Sequence, residues 1–316
     1  MSKENVLLGV GVGNWRIHYP KYFYKKQDTI YINWIQPHND FIWVLSEKGI
    51  FGFMAFCFLY IFVITYCIKV LTKSVKQDEL IFTLLMMSMI ISFIILSLLT
   101  FPYDRINHQV ILMLAFSAII ADYSNNSKVS AKKWTTSLTV FFFSLTGLGL
   151  IFTSYANTKV YHSQSLVKKT YDAISRKNNN KIIEYTTKAY NPFFTLDYFS
   201  TPLLRHRGTS YLLLKQNDKA IKDLLKALDD HPYNVSTINN IAAYFAQQED
   251  YSKAVHYYKN TLLFYPNYEF GIKNLARAYY LNKEYTKAYL TILKYSTKEQ
   301  DQKYLAFINE LKDNIN

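Results

Sequence analysis

The chain has 316 residues and a formal net charge of +13, and half of it is hydrophobic with 17% aromatic residues. Its mean hydropathy nevertheless lies near zero, so a greasy portion and a polar portion average out over a length that admits two domains. A basic excess points to nucleic acid only where it gathers on one soluble face; here much of it falls at the ends of apolar runs, which argues against nucleic acid as a partner. The only cysteines, Cys57 and Cys67, lie ten residues apart inside one apolar run and read as packing residues, neither paired nor metal-binding.

Residues 1–50 read as a loop domain with little periodicity. Met1 to Trp15 has a charged start, but Gly9-Val10-Gly11-Val12-Gly13 is too short and glycine-rich for the apolar core of a signal peptide. Basic groups gather at Arg16, His18, Lys21, Lys25 and Lys26, interleaved with Tyr19, Tyr22, Phe23 and Tyr24. Two readings stay open. One is an interfacial belt, with aromatics at head-group depth and lysines facing lipid phosphate. In the other, Arg16 grips a diphosphate through its planar fork.

Pro37 to Gly52 carries a polar turn with His38, a short amphipathic run, and Gly49-x-x-Gly52 at the mouth of a long apolar segment. Asn39 or Asp40 can cap a helix start, and Gly49 supplies the left-handed residue that ends it. The chain is expected to bend there from a surface helix into a bilayer. His38 then sits on the water side of the interface.

Four apolar segments follow: Phe51 to Leu71, Leu80 to Thr100, Ile106 to Ala121 and Trp134 to Ala156. Lengths near twenty suit a hydrocarbon core roughly 30 Å thick. Lys69, Lys73 and Lys76 lie between the first two, and Lys128, Lys132 and Lys133 between the last two. The positive-inside rule puts both loops in the cytoplasm. Residues 1–50, the Asp104–Arg105 link and everything after Ala156 then share the outer face. Arg105 either anchors its helix to lipid phosphate or contacts a substrate phosphate, facing His38.

From Tyr161 the composition turns to Lys, Asn, Tyr and Asp with helical spacing. Ala220, Ala254 and Ala288 stand 34 apart, as do Gly208, Ala242 and Ala276, then Tyr211, Phe245 and Tyr279, and finally Pro232 and Pro266. Small residues where two helices touch, an inward aromatic and a proline after the second helix form the tetratricopeptide (TPR) pattern. The expected fold is all-α: about four transmembrane helices after an extracytoplasmic loop, then a soluble TPR solenoid. The domains fall at 1–50 (loop), 51–156 (transmembrane), 157–202 (a degenerate helical connector) and 203–316 (repeats with a C-terminal helix).

His38-Asn39, nine residues, then Gly49-x-x-Gly52 resembles the signature of the O-antigen ligase and polymerase family of membrane glycosyltransferases. Gly9 to Trp15 is similar to the glycine-rich stretch late in that family's periplasmic loop. The resemblance covers about residues 5–125. It implies transfer of a glycan from an undecaprenyl-diphosphate carrier to a glycan-lipid or protein acceptor, at the outer face of a bacterial inner membrane. The loop and repeats would then lie in the periplasm. It makes His38 the base, Asn39 a group that orients it or a sugar hydroxyl, and Arg16 with Arg105 the stabilisers of the leaving diphosphate. No metal or cofactor is implied. Family members carry many transmembrane helices before this loop, so the expectation is a C-terminal half of such an enzyme. The alternative is a membrane-anchored TPR scaffold that binds a protein partner and performs no catalysis.

Overall fold

A computed structural model describes residues 5–23, 36–74, 76–126, 136–293 and 302–313. Tyr24, Lys25, Lys26, Lys128, Lys132, Lys133 and Trp134 lie outside them. Among the described residues the regular structure is helical, with two isolated bridges, Asn191–Phe194 and Leu196–Pro202, and no strand. Contacts divide the chain into two compact units: Met1–His18 with Trp34–Leu145, and Tyr19–Asn33 with Thr146–Asn316.

The first unit begins with the short α1 (Trp15–His18); α2 (Pro20–Phe23) belongs to the second. In the first unit, α3 (Asp40–Lys73), α4 (Gln77–Leu99) and α5 (Ile106–Asn126) share one core. Tyr60, Val63 and Cys67 of α3 meet Ile90 and Phe93 of α4 and Leu112, Ala115, Phe116 and Ile119 of α5. Cys67 is fully buried in that core, and both cysteines are free. A 3-10 turn, Pro102–Asp104, joins α4 to α5.

α3, α4, α5 and α6 (Thr136–Ser175) are each long and apolar enough to cross a membrane. The apolar run ends at Ala156, and the helix that carries it runs on to Ser175, 40 residues in all. The change in composition is a change of face, since residues 157–175 contain no Gly or Pro to stop the backbone. Ser163, Leu166, Val167, Thr170 and Ala173 form a buried stripe at helical spacing. Leu166 and Val167 pack with Ala189 at the end of α7 (Asn179–Ala189) and with Leu203.

Six helices carry the repeat: α8 (Leu203–Leu213), α9 (Asn217–Asp230), α10 (Val235–Gln247), α11 (Tyr251–Phe264), α12 (Glu269–Leu281) and α13 (Tyr285–Leu293). α14 (Gln302–Asp313) follows. Ala220, Ala254 and Ala288 are fully buried, as are Ala242 and Ala276. A larger side chain there would hold the helices of a pair apart. Pro232 and Pro266 lie two residues past the ends of α9 and α11, where they cannot be required to donate to a helix. Arg207 clamps α8 to α9 through a bidentate pair with Asp223, Nε to Oδ2 at 2.6 Å and Nη2 to Oδ1 at 2.8 Å.

The turns inside the pairs repeat as faithfully as the seams. Lys215, Glu249 and Lys283 all have positive φ, +57°, +60° and +62°, just past the first helix of each pair. Lys177 has φ +53° at the turn between α6 and α7, which builds that hairpin on the same plan. A left-handed conformation costs an L residue about 1 kcal/mol that glycine avoids. Lys215→Gly, Glu249→Gly and Lys283→Gly should therefore each stabilise the second unit by roughly 0.5–1 kcal/mol, or about 2–3 °C by calorimetry. Alanine at the same positions should give no gain.

Candidate functional site

Asn39 starts α3 by accepting the Ile42 N–H on Oδ1 at 2.9 Å. The helix then runs to Lys48 and breaks at Gly49, whose φ of +64° and ψ of −167° lie in a region essentially reserved for glycine. The break leaves helix-end carbonyls in need of donors. The glycine-rich loop supplies them: Val10 N–H donates to the Ser46 carbonyl at 3.0 Å and Gly11 N–H to that of Glu47 at 2.9 Å. Ile50 N–H returns a bond to the Val6 carbonyl at 2.8 Å. The two backbones touch so closely that a Cβ on Gly49 would stand 2.2 Å from the Leu7 carbonyl oxygen. One on Gly9 would stand 2.4 Å from the Glu47 carbonyl. Gly52 is needed for a different reason, because Lys48 folds back over it and a Cβ there would lie 2.4 Å from Lys48 Cβ.

Glu47 is buried and accepts the Trp15 N–H on Oε1 at 3.0 Å, which fixes α1 and the half-buried Arg16 it carries. Asp40, fully buried, fastens the other end of the segment. Its Oδ2 accepts from Ser97 Oγ at 2.9 Å and from the Tyr103 N–H at 3.0 Å. Its Oδ1 is buried with no hydrogen-bond partner among the described residues. Asn39 Nδ2 donates to the Leu98 carbonyl at 3.1 Å, so this side chain ties α3 to the end of α4. Lys48 Nζ donates to Tyr103 Oη at 3.0 Å and lies 5.2 Å from the ring centroid.

This latch presents Phe101 between two of the expected site residues. His38 meets its ring edge-on at 5.2 Å, and Arg105 Cζ lies 5.4 Å from its centroid. His38, Asn39 and Arg105 therefore gather at one corner. Arg16 is held at the far end of the Asp40–Lys48 segment, roughly 12 Å of helix rise away. Sequence reasoning assigned no role to Glu47, Lys48 or Tyr103, and to Asp40 only that of an alternative helix cap. Three of these were visible as charges beside an apolar run, but their partners are about 30 to 60 positions distant. Among the described residues no group of three or more His, Cys, Asp or Glu is placed to hold a metal ion.

The second unit has a site of its own. A cavity of about 280 Å³ lies between α10 and α12, lined by Ala243, Gln247, Asn274, Arg277 and Leu281, with Tyr258 of α11 beneath. Burial pushes the Tyr258 hydroxyl up to about 12, against the opposing pull of Arg277. The first helices of the pairs, α8, α10 and α12, contain a single acid, Glu269, which pairs with Lys273. Arg277 is exposed and forms no ion pair among the described residues.

In the same unit, the fully buried Asp197 fixes the segment before α8. It accepts from Tyr171 Oη at 2.6 Å, from the N–H groups of Phe199 and Thr201 at 2.8 and 2.9 Å, and faces His206 Nε2 at 3.1 Å. Burial alone would raise its carboxyl, but bonds from His206, Tyr171 and Thr201 hold it below the usual carboxylate range. Burial pushes the His206 imidazole down, towards the neutral form.

The class this defines is an all-α chain whose second unit is a TPR-like helical solenoid. No family model matches the chain, and no curated protein matches it. Similar solved structures include a mutant of MamA (15% identity, TM-score 0.42), which the likeness covers over 84% of that chain and 49% of this one. Another is a tetratricopeptide repeat protein from Parabacteroides merdae ATCC 43184 (19%, TM-score 0.41), with 61% of that chain and 49% of this one covered. A third is MamA AMB-1 (14%, TM-score 0.41), with 89% and 50% covered. At such scores the repeat rests on the chain's own 34-residue register. The resemblance to O-antigen ligases rests on His38, Asn39, Gly49 and Gly52 and draws no support from these comparisons.

Gly49→Ala should unseat the glycine-rich loop, because the strained backbone costs about 1–3 kcal/mol before any clash is counted. Limited proteolysis of the detergent-solubilised chain should then cut residues 5–18 at least about tenfold faster, the factor that ~1.4 kcal/mol makes in an opening equilibrium. Gly147→Ala, whose added Cβ meets nothing within 4 Å, should leave the rate unchanged.

Proposed function

We propose that the chain is a membrane-anchored scaffold whose TPR unit binds an extended, acidic segment of a protein partner. The apolar helices α3 to α6 hold it in the membrane, with the lysine-bearing loops on the cytoplasmic side and the repeats on the other. The observation that carries the reading is the cavity between α10 and α12, where Arg277 stands without a carboxylate on a face nearly free of acids. Alanines at 243, 246 and 278 leave its wall low enough for a peptide backbone to approach. An acidic side chain there gains a charge-assisted bond from Arg277, and Asn274 and Gln247 can pair with peptide groups.

Fluorescence anisotropy with the full chain in detergent tests this. A glutamate-rich peptide should bind at least about tenfold more tightly than its glutamine counterpart, and Arg277→Ala should remove that advantage, ~1.4 kcal/mol. Equal binding of the two peptides, or no effect of the substitution, would contradict the reading.

A second reading concerns the first unit, and one observation favours it: His38 and Arg105 flank the same Phe101 ring. On this reading the unit moves a glycan from an undecaprenyl-diphosphate carrier to a glycan-lipid or protein acceptor at the outer face of a bacterial inner membrane. His38 takes the acceptor hydroxyl proton as the new bond to the sugar forms and the bond to diphosphate breaks. Arg105 neutralises the departing diphosphate. Arg16 serves the same diphosphate from α1, which requires a ligand long enough to span the segment. Asn39 acts chiefly by fixing the helix start under His38, since Oδ1 is used by Ile42 and one Nδ2 hydrogen by Leu98. In a correctly inserted protein His38→Ala should lower glycan transfer by roughly 10²–10⁴-fold; unchanged transfer would sink this reading and leave the scaffold intact.

A further inference from the structure

At the other end of the α3–α5 core, where α3 stops at Lys73, a second pocket of about 370 Å³ opens. Tyr66, Lys69, Val70 and Lys73 line it from α3, and their spacing puts them on one face of that helix. The groups around them have mostly found partners. Tyr66 Oη donates to Asp122 Oδ2 at 2.7 Å, and its ring meets Tyr123 edge-on at 5.0 Å. Glu79, the carboxylate in the lining, accepts from Lys76 Nζ at 2.9 Å and from Ser74 Oγ at 2.6 Å.

Lys69 and Lys73 are the exception. Both are exposed, both point from the same face one turn apart, and neither forms an ion pair among the described residues. Like charges at this spacing repel, and Lys69 lies inside the apolar run. An anion bridging the two ammonium groups would relieve both faults.

The surroundings state which anion fits. Reading up the same side of α3 from the pocket, Lys73 and Lys69 give way to Tyr66 and then to Phe62, which is exposed and packs on Tyr123 at 6.0 Å between centroids. The order is cation, amphipathic ring, hydrocarbon. That is the polarity profile of a phospholipid from phosphate through ester to acyl chain. A free phosphate would use the first step only.

We propose that this pocket binds the headgroup of an anionic phospholipid, with its phosphate between Lys69 and Lys73 and an acyl chain along Tyr123 and Phe62. The proposal rests on the membrane reading of α3 to α6, and the test separates the two.

The full chain in mild detergent is given phosphatidylglycerol, phosphatidylcholine or inorganic phosphate, and bound lipid is counted by native mass spectrometry. Phosphatidylglycerol should be retained over phosphatidylcholine by about fivefold for each lysine engaged. The double variant Lys69→Gln/Lys73→Gln should lose that preference, while Lys69→Arg/Lys73→Arg and the control Lys168→Gln/Lys222→Gln should keep it. Equal retention of the two lipids, or a preference untouched by the double glutamine variant, would overturn the proposal. So would displacement of the lipid by millimolar inorganic phosphate, which would make free phosphate the ligand. Carbonate extraction of membranes, scored on the same variants, reads membrane insertion separately: a chain released at alkaline pH overturns the membrane reading, and the proposal with it. A retained chain without lipid preference overturns the pocket alone.

Discussion

Apolar helix surface left exposed among the described residues is the constraint on which the rest of this protein depends. The most apolar 18-residue window of α6 has none of its residues buried, and those of α3, α4 and α5 have 17 to 22%. Burial of such surface is worth about 25 cal/mol per Å², so these helices need an apolar medium or each other. Proposed insertion in a bilayer meets that need and dictates where polar chemistry can sit. Asp40, Glu47 and Lys48 all fall at one end of the α3–α5 core, and the lysines of the second pocket at the other. Each buried carboxylate at the first end has a donor on one oxygen, Asp40 on Oδ2 and Glu47 on Oε1.

The repeats of the second unit meet the same constraint by stacking. A single helix pair cannot cover its own apolar face, so pairs stack and share a core. The buried alanines at 220, 254 and 288 let the helices approach, and the fixed length of each unit keeps every pair in the same register. The turns enforce this even at a cost, since Lys215, Glu249 and Lys283 take a left-handed conformation that none of them favours. With the seams filled by small and aromatic residues, charge is left to distinguish one face from another. Of the six repeat helices only α9, with four aspartates, and α12, with Glu269, carry acids, and Arg277 is left without an ion pair among the described residues.

What could be read from the sequence was whatever is local or periodic. The repeat announced itself because four sets of positions keep one spacing. The helix start at Asn39 and the break at Gly49 are decided by residues within a few positions, and both formed as the sequence implied. Asp40 as a latch could not be read, because Ser97 and Tyr103 come to it only through the packing of α3 on α4. The same holds for Glu47 and the Trp15 amide. The length of α6 could not be read for a different reason: composition changes at Ala156, whereas the helical backbone is indifferent to which side of it is polar. Arg16 and His38 share a loop in sequence, yet the rigid Asp40–Lys48 segment holds them apart.

Sidedness tests the central claim most directly. In a background carrying Cys57→Ser and Cys67→Ser, single substitutions Lys76→Cys, Asp104→Cys and Lys222→Cys would be exposed to a membrane-impermeant maleimide in intact spheroplasts and after lysis. The account predicts labelling of Asp104→Cys and Lys222→Cys in intact cells and of Lys76→Cys only after lysis. Labelling of all three in the same condition would contradict it.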